Sequence, residues 1–301
     1  MVSPSTAHAW RCALPPYYEE TVRGWLRDDC PSLDIGGLVV GDGETVATLW
    51  CKSDGVLCGV PFVDATFASL GCTVTWGAAE GDVIDVSGGK VAVATVAGPA
   101  RKVLLGERTA LNALSRASGV ASAARRAVGV ARAVGWRGHV AGTRKTTPGF
   151  RIVEKYALLV GGCATHRLDL SQMVMLKDNH VWAHGSIPGA VAAARAGAGF
   201  SAKIEVECRD LGEARSAAGA GADVVMLDNF DPAELKKAAK ALKAEFPALL
   251  VEASGGITLA TMADYLSDDV DVVSQGALTQ GYACVDFSLK LPKPEGAACN
   301  V

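Results

Sequence analysis

Apolar and polar positions fall into two textures that meet near residue 101. Before that point, apolar and β-branched runs at 45–51, 71–76 and 91–97 are separated by Gly- and Asp-bearing turns, which predicts a small sheet. Residues 17–29 carry Val22, Trp25 and Leu26 at helical spacing and predict a helix. From 101 to 134 the chain is Ala-rich, with Leu104, Leu105, Leu111 and Leu114 at helical spacing. Gly119 is expected to interrupt this helix and mark the passage into a second domain.

From His139 onward a repeated order sets in: an apolar strand, a polar or glycine burst, then a helix. Strand-like runs at 139–142, 173–176, 203–207, 224–227, 249–253 and 271–273 end on polar or glycine residues, with Ala-rich helical stretches at 189–198, 211–220 and 233–244 between the later ones. This grammar predicts an α/β fold with a parallel (β/α) barrel. An open doubly wound sheet is disfavoured, because no GxGxxG follows the first strand. The tail from Asp286 to Leu291 is expected to return to the first domain.

Composition narrows the class. With 301 residues, half of them hydrophobic, the chain can bury a large core. A net charge of -3 supports neither general nucleic-acid binding nor a membrane-surface role. The N-terminus lacks the pattern of a signal peptide, and no apolar run nears the roughly 20 residues that span a bilayer. Nine irregularly spaced cysteines without a CxxC pair suggest reduced thiols in a cytoplasmic protein rather than a disulfide or zinc framework.

Candidate chemistry clusters at the strand ends. Between Arg144 and Lys177 stand six cations (Arg144, Lys145, Arg151, Lys155, Arg167, Lys177) against two acids, Glu154 and Asp169, a local charge of +4. Arginine forks match carboxylates or phosphates two bonds at a time, so a pocket for a small, multiply anionic ligand is expected. A solvated basic face is the bland reading for Arg151 and Lys155. Lys203, Glu205 and Glu207 alternate along one strand and share a side of it. Lys203 and Glu205 are expected to form an internal ion pair. Glu207 and Asp228, nearer the strand ends, suit a cationic transition state or Mg2+. Ser254-Gly255-Gly256 and Ser274-Gln275-Gly276-Ala277 end the last two strands, where backbone N–H groups can reach a phosphate. Glycosyl transfer from a phosphorylated sugar fits the set. Arg108 alone reads as a salt bridge or solvated residue, and Lys52, Asp54 and Asp64 as surface or turn residues.

Six stretches carry a resemblance: GTRKTTPGFR (142–151), HRLDLSQMVMLKDNH (166–180), KIEVEC (203–208), LDNFDP (227–232), EASGGIT (252–258) and SQGALTQ (274–280). Together with ERTALNALSRASG (107–119), they closely resemble the decarboxylating quinolinate phosphoribosyltransferases, also called the nicotinate-nucleotide pyrophosphorylase family. The SQGALTQ ending looks like that of eukaryotic members. The resemblance implies an N-terminal α/β sandwich (1–113, joined by the tail 278–301) and a seven-stranded α/β barrel (114–277) bearing the active site. It implies quinolinate and phosphoribosyl pyrophosphate as substrates in NAD biosynthesis, Mg2+ as cofactor held mainly through substrate, and a homodimer or a hexamer built of dimers. By motif, Arg144, His166, Arg167 and Lys177 would bind the quinolinate carboxylates, with Lys145 near both substrates and Arg108 donated across the dimer interface. Glu207 and Asp228 would face the ribose and its metal; Ser254, Gly255, Gly276 and Ala277 would hold the 5-phosphate. Asn179 and His180 are expected to be structural. The rivals are a nicotinate-specific phosphoribosyltransferase, a Schiff-base lyase using Lys177 or Lys145, and a non-catalytic phosphometabolite-binding module.

Overall fold

The structure, a computed structural model, describes residues 10–293. The extreme N-terminus, the Pro- and Gly-containing end and Cys299 lie outside the described residues. The chain divides into two compact units: residues 1–123, 148–161 and 282–301 form one, and residues 124–147 and 162–281 the other. The division thus falls later than the 113/114 boundary set by motif, and the segment at 148–161 goes with the first unit.

The main elements, in chain order, are α1 (Tyr18–Asp29), β1 (Glu44–Cys51), α2 (Val60–Ser69), β2 (Thr73–Trp76), β3 (Val91–Pro99), α3 (Ala100–Ala133), β4 (His139–Ala141) and α4 (Arg151–Gly161). They continue with β5 (Val174–Leu176), α5 (Asp178–His184), α6 (Ile187–Ala198), β6 (Ile204–Cys208), α7 (Leu211–Gly219), β7 (Val224–Asp228) and α8 (Pro232–Glu245). The last are β8 (Leu250–Ser254), β9 (Val272–Ser274) and β10 (Phe287–Lys290).

In the first unit, an antiparallel sheet has the order β10-β1-β3-β2. The tail does return there, with Thr48 opposite Lys290 and Cys51 opposite Phe287. Ala47, Leu49 and Cys51 are buried at alternate positions of β1, as the two-residue pleat requires. They join Val93, Val96, Phe67, Val103, Leu111 and Leu114 in one core. Asp64 is half-buried rather than loose on the surface, pairing with Arg11 and accepting from Trp76 Nε1 at 2.8 Å.

Gly119 does not interrupt α3, which is continuous over 34 residues. Its glycine answers a different need: a Cβ there would lie 2.5 Å from the Ala283 carbonyl oxygen and 2.8 Å from the Tyr282 ring. The returning tail passes too close for any side chain. A breaker in an otherwise strong helical run therefore marks close packing.

In the second unit, six strands form one parallel sheet in the order β4-β9-β8-β7-β6-β5. A parallel bridge from Ala141 to Ala164, beside β4, stands where a seventh strand is expected. Strands β6 to β8 are buried at most positions on both faces, while the last residues of β7 and β8, Asp228 and Ser254, are half-buried and open toward a cavity. Helices α7 and α8 start on Asp210 and Asp231, whose carboxylates accept the N–H groups of Glu213 and Ala233. Short α/β turns of this kind leave all the strand ends at one mouth.

Candidate active site

That mouth encloses a cavity of about 520 Å3. Its lining includes Arg144, Lys145, His166, Arg167, Lys177, Glu207, Asp228, Ser254, Gly255, Gly276 and Ala277, so eleven of the twelve predicted site residues meet there. Arg108 does not line it; it is exposed on α3 in the first unit. Arg151 and Lys155 also fall elsewhere, on α4 of the first unit, where Lys155 is buried rather than solvated.

The positive side of the cavity comes from the segments after β4 and before β5. The Arg144 Nε is buried and finds no hydrogen-bond partner within the protein, an uncompensated charged donor in the wall of the cavity. Arg167 is buried beside it; burial, then the charge of Arg144, lowers its pKa. Glu205 and Glu252 oppose that shift. Lys145 lies against the last loop: its backbone C=O accepts from Thr279 Oγ1 at 2.7 Å, and a Cβ on Gly276 would meet its Cδ at 2.8 Å. Glycine at 276 is thus the room through which Lys145 crosses the candidate phosphate loop.

The negative side is Glu207 and Asp228. Glu207 forms an ion pair with Lys177, and Asn229 Nδ2 donates to Asp228 Oδ2 at 2.5 Å. Burial, then the charge of Glu207, raises the Asp228 pKa, with Lys177 and Lys145 opposing. Two neighbouring carboxylates offer hard oxygen donors, which suit Mg2+. Asn229 adopts a positive φ of 59°, donates its N–H to Ser254 at 3.0 Å and leaves no space for a Cβ on Gly255, whose φ is 90°. Only glycine can follow Ser254 here.

Three groups were missed by sequence reasoning. The expected Lys203–Glu205 pair is absent: Lys203 is exposed at the start of β6, while Glu205 is fully buried and faces His166. Glu252, on β8, accepts from His166 Nε2 at 3.2 Å, and its other oxygen accepts from Ser274 Oγ at 2.6 Å. The signal was present, since Glu252 and Ser254 sit two apart on one strand and share its inner side. Burial lowers the His166 pKa, but hydrogen bonds and charge from Glu205 and Glu252 outweigh it and raise it to about 9. Against a second ring proton stands the Arg167 backbone N–H, which donates to His166 Nδ1 at 2.8 Å and requires a bare nitrogen. In this geometry the ring carries its proton on Nε2, and burial pushes the Glu205 carboxyl up to about 7. Asn179 and His180 stand aside from the cavity; His180 Nδ1 accepts the Lys177 backbone N–H at 3.1 Å and so anchors the start of α5.

A parallel barrel-like unit with a phosphate-type loop at its last strands, a cationic pocket and a carboxylate pair defines a phosphosugar-binding α/β enzyme architecture. Residues 34–118 match the N-terminal domain of quinolinate phosphoribosyl transferase, and residues 120–290 match its C-terminal domain. The chain belongs to the quinolinate phosphoribosyl transferase family. It is 56% identical over 280 residues to the carboxylating nicotinate-nucleotide pyrophosphorylase of Homo sapiens, covering 92% of this chain and 93% of that one. The Dictyostelium discoideum enzyme of the same name is 47% identical over 296 residues, covering 93% and 98%. The solved nicotinate-nucleotide pyrophosphorylase from Francisella tularensis superposes with a TM-score of 0.84 at 29% identity, covering 93% of this chain and 98% of that one.

Proposed function

We propose that the chain transfers the phosphoribosyl group of phosphoribosyl pyrophosphate to quinolinate and releases pyrophosphate, CO2 and nicotinate mononucleotide, a step of NAD biosynthesis. The observation that carries this reading is the pairing of Arg144 and Arg167 beside Glu207 and Asp228 in one cavity. The guanidinium forks and Lys177 receive a dicarboxylate; a monocarboxylate such as nicotinate would leave part of that charge uncompensated. As pyrophosphate departs, C1 of the ribose becomes cationic, and the fixed carboxylates of Glu207 and Asp228 stabilise it without reorganising. Lys145, lying along the phosphate loop, balances charge on the phosphorylated substrate. Backbone N–H groups around Ser254, Gly255, Gly276 and Ala277 receive the 5-phosphate.

Once bonded to ribose, the ring nitrogen is cationic and stabilises the electron pair left on the adjacent ring carbon as its carboxylate departs as CO2; that carbon then takes a proton from water. Transfer therefore precedes decarboxylation. Mg2+, carried mainly by the pyrophosphate substrate, supplies charge neutralisation near Glu207 and Asp228. Lys177 is engaged in an ion pair with Glu207, which disfavours the lyase reading. Arg108, exposed on α3, completes the site of a second subunit in a homodimer or in a hexamer of dimers, in the cytoplasm. No helix among the described residues is long and apolar enough to cross a membrane. The test is substrate choice with phosphoribosyl pyrophosphate in excess. Quinolinate should be consumed, nicotinate left unused, and no free nicotinate should be trapped. Consumption of nicotinate, or its release as an intermediate, contradicts the reading.

A further inference from the structure

The floor of the cavity is a chain of side chains that the reaction, as derived above, does not use. Glu205 and Glu252, both buried, flank His166 Nε2 at 3.5 and 3.2 Å. Glu252 continues to Ser274 Oγ at 2.6 Å, and Ser274 Oγ lies 3.2 Å from Ser254 Oγ. Below this floor, at the starts of the strands, lies a second cavity of about 440 Å3, lined by Glu205 and Glu252 and by His166 and Arg167, which reach both cavities. The chain of groups is therefore a septum between two solvent spaces rather than part of a packed apolar core.

His166 is fully engaged within the protein. Its Nδ1 accepts the Arg167 backbone N–H at 2.8 Å, and its Nε2 serves Glu252. Neither ring nitrogen is left to bind a substrate carboxylate, although the motif assigns His166 that task. The residue also holds a φ of 55°, a left-handed backbone that non-glycine residues seldom adopt. That conformation sets the direction in which Arg167 leaves the chain, and the ring's two hydrogen bonds keep it there.

We propose that Glu252 and Ser274 are positioning residues which, through His166 and Ser254, couple the dicarboxylate pocket to the phosphate loop. Glu252 fixes the His166 ring, His166 fixes the Arg167 backbone, and Ser274 joins the same carboxylate to the serine that opens the phosphate loop. Occupying the phosphate loop through Ser254 then favours the arrangement of Arg167 that receives the dicarboxylate. Linkage makes the effect reciprocal. His166 acts through this chain instead of donating to the substrate.

The inference rests on the reaction proposed above, and calorimetry separates the two. Quinolinate affinity is measured with and without saturating ribose 5-phosphate, a pair that cannot react. In the native protein ribose 5-phosphate should tighten quinolinate binding by about fivefold or more, the lower end of measured couplings. Ser274→Ala should bring that ratio to about one while changing quinolinate affinity alone by less than about threefold, because it breaks the link and leaves the pocket charges in place. Glu252→Gln, which can still face both His166 and Ser274, should keep part of the coupling, and Glu252→Ala should lose it. Should Glu252→Ala fail to fold, Ser274→Ala, a single buried hydroxyl, carries the test alone. A purely structural role would move melting temperature and leave the ratio intact. A native ratio of one, or an unchanged ratio in Ser274→Ala, overturns the coupling while leaving the reaction standing. Absence of quinolinate binding in the native protein overturns both.

Discussion

Both units bury glutamates, and one from each, Glu80 and Glu252, show two ways of holding a buried carboxylate. In the first unit, Glu80 accepts the backbone N–H groups of Gly59 at 2.8 Å and Val60 at 2.9 Å, closing the start of α2. In the second, Glu252 accepts from side chains, His166 and Ser274, and lines the cavity at the starts of the strands. A buried carboxylate held by backbone stabilises a fold, because it covers donors that every helix start leaves open. One held by titratable and hydroxyl side chains beside a cavity sets the geometry of ligand groups. Burial alone would not have separated the two, since both residues are under a tenth exposed. The identity of the partners does.

The largest effect should come from the carboxylates that touch substrate. Glu207→Ala or Asp228→Ala should lower kcat by about 100- to 1,000-fold, the usual cost of removing one preorganised electrostatic group, with melting temperature little changed. A loss below tenfold in both variants would move the chemistry away from this pair. Next comes Arg144→Ala, which removes a buried charged donor from the wall of the cavity. Quinolinate affinity should fall by about 2–4 kcal/mol, as expected for breaking a buried charge-assisted pair. The KM for phosphoribosyl pyrophosphate should change far less.

Glu80→Ala reverses the pattern. It leaves the Gly59 and Val60 N–H groups without partners and should cost about 1–3 kcal/mol of folding stability, read by urea denaturation, with both KM values unchanged. A change in KM would blur the distinction between the two glutamates. The smallest effect concerns pH. Burial raises the Glu80 pKa above its ordinary 4.5, opposed by its backbone hydrogen bonds. The folded state then binds this proton more tightly than the unfolded chain does. The stability so gained is complete below pH 4.5 and is lost as pH rises through the raised value. Glu80→Gln keeps the neutral form, so its disadvantage against the native protein should shrink between pH 4 and pH 7. A disadvantage that grows over that range would reverse the sign.

Much of this arrangement was legible in the sequence, for identifiable reasons. Periodicity places β1, β3, β7 and β8 because buried strands read as apolar runs, and the polar residues that end β7 and β8, Asp228 and Ser254, mark the mouth of the second unit. Eleven site residues could be gathered because each closes a strand or opens the following loop. Lys203 and Glu205 were misjudged together: alternation fixes which side of a strand a residue faces but not its depth along the strand. Lys203 sits at the start of β6 in solvent, and Glu205 one pleat further in is sealed. Gly119 was misread because a helix former's tolerance of one glycine is a local property, whereas the approach of Tyr282 and Ala283 is set by a chain return more than 160 residues later. The His166 network could not be seen at all without tertiary structure, since its members come from four separate segments.

The central claim is that one cavity both transfers the phosphoribosyl group and removes a carboxylate. The most direct measurement is simultaneous release of CO2 and formation of nicotinate mononucleotide from quinolinate, phosphoribosyl pyrophosphate and Mg2+. Equal molar yields throughout the time course, both abolished together in Glu207→Ala, are the predicted result. CO2 without the nucleotide, or neither product from the native protein, would contradict it.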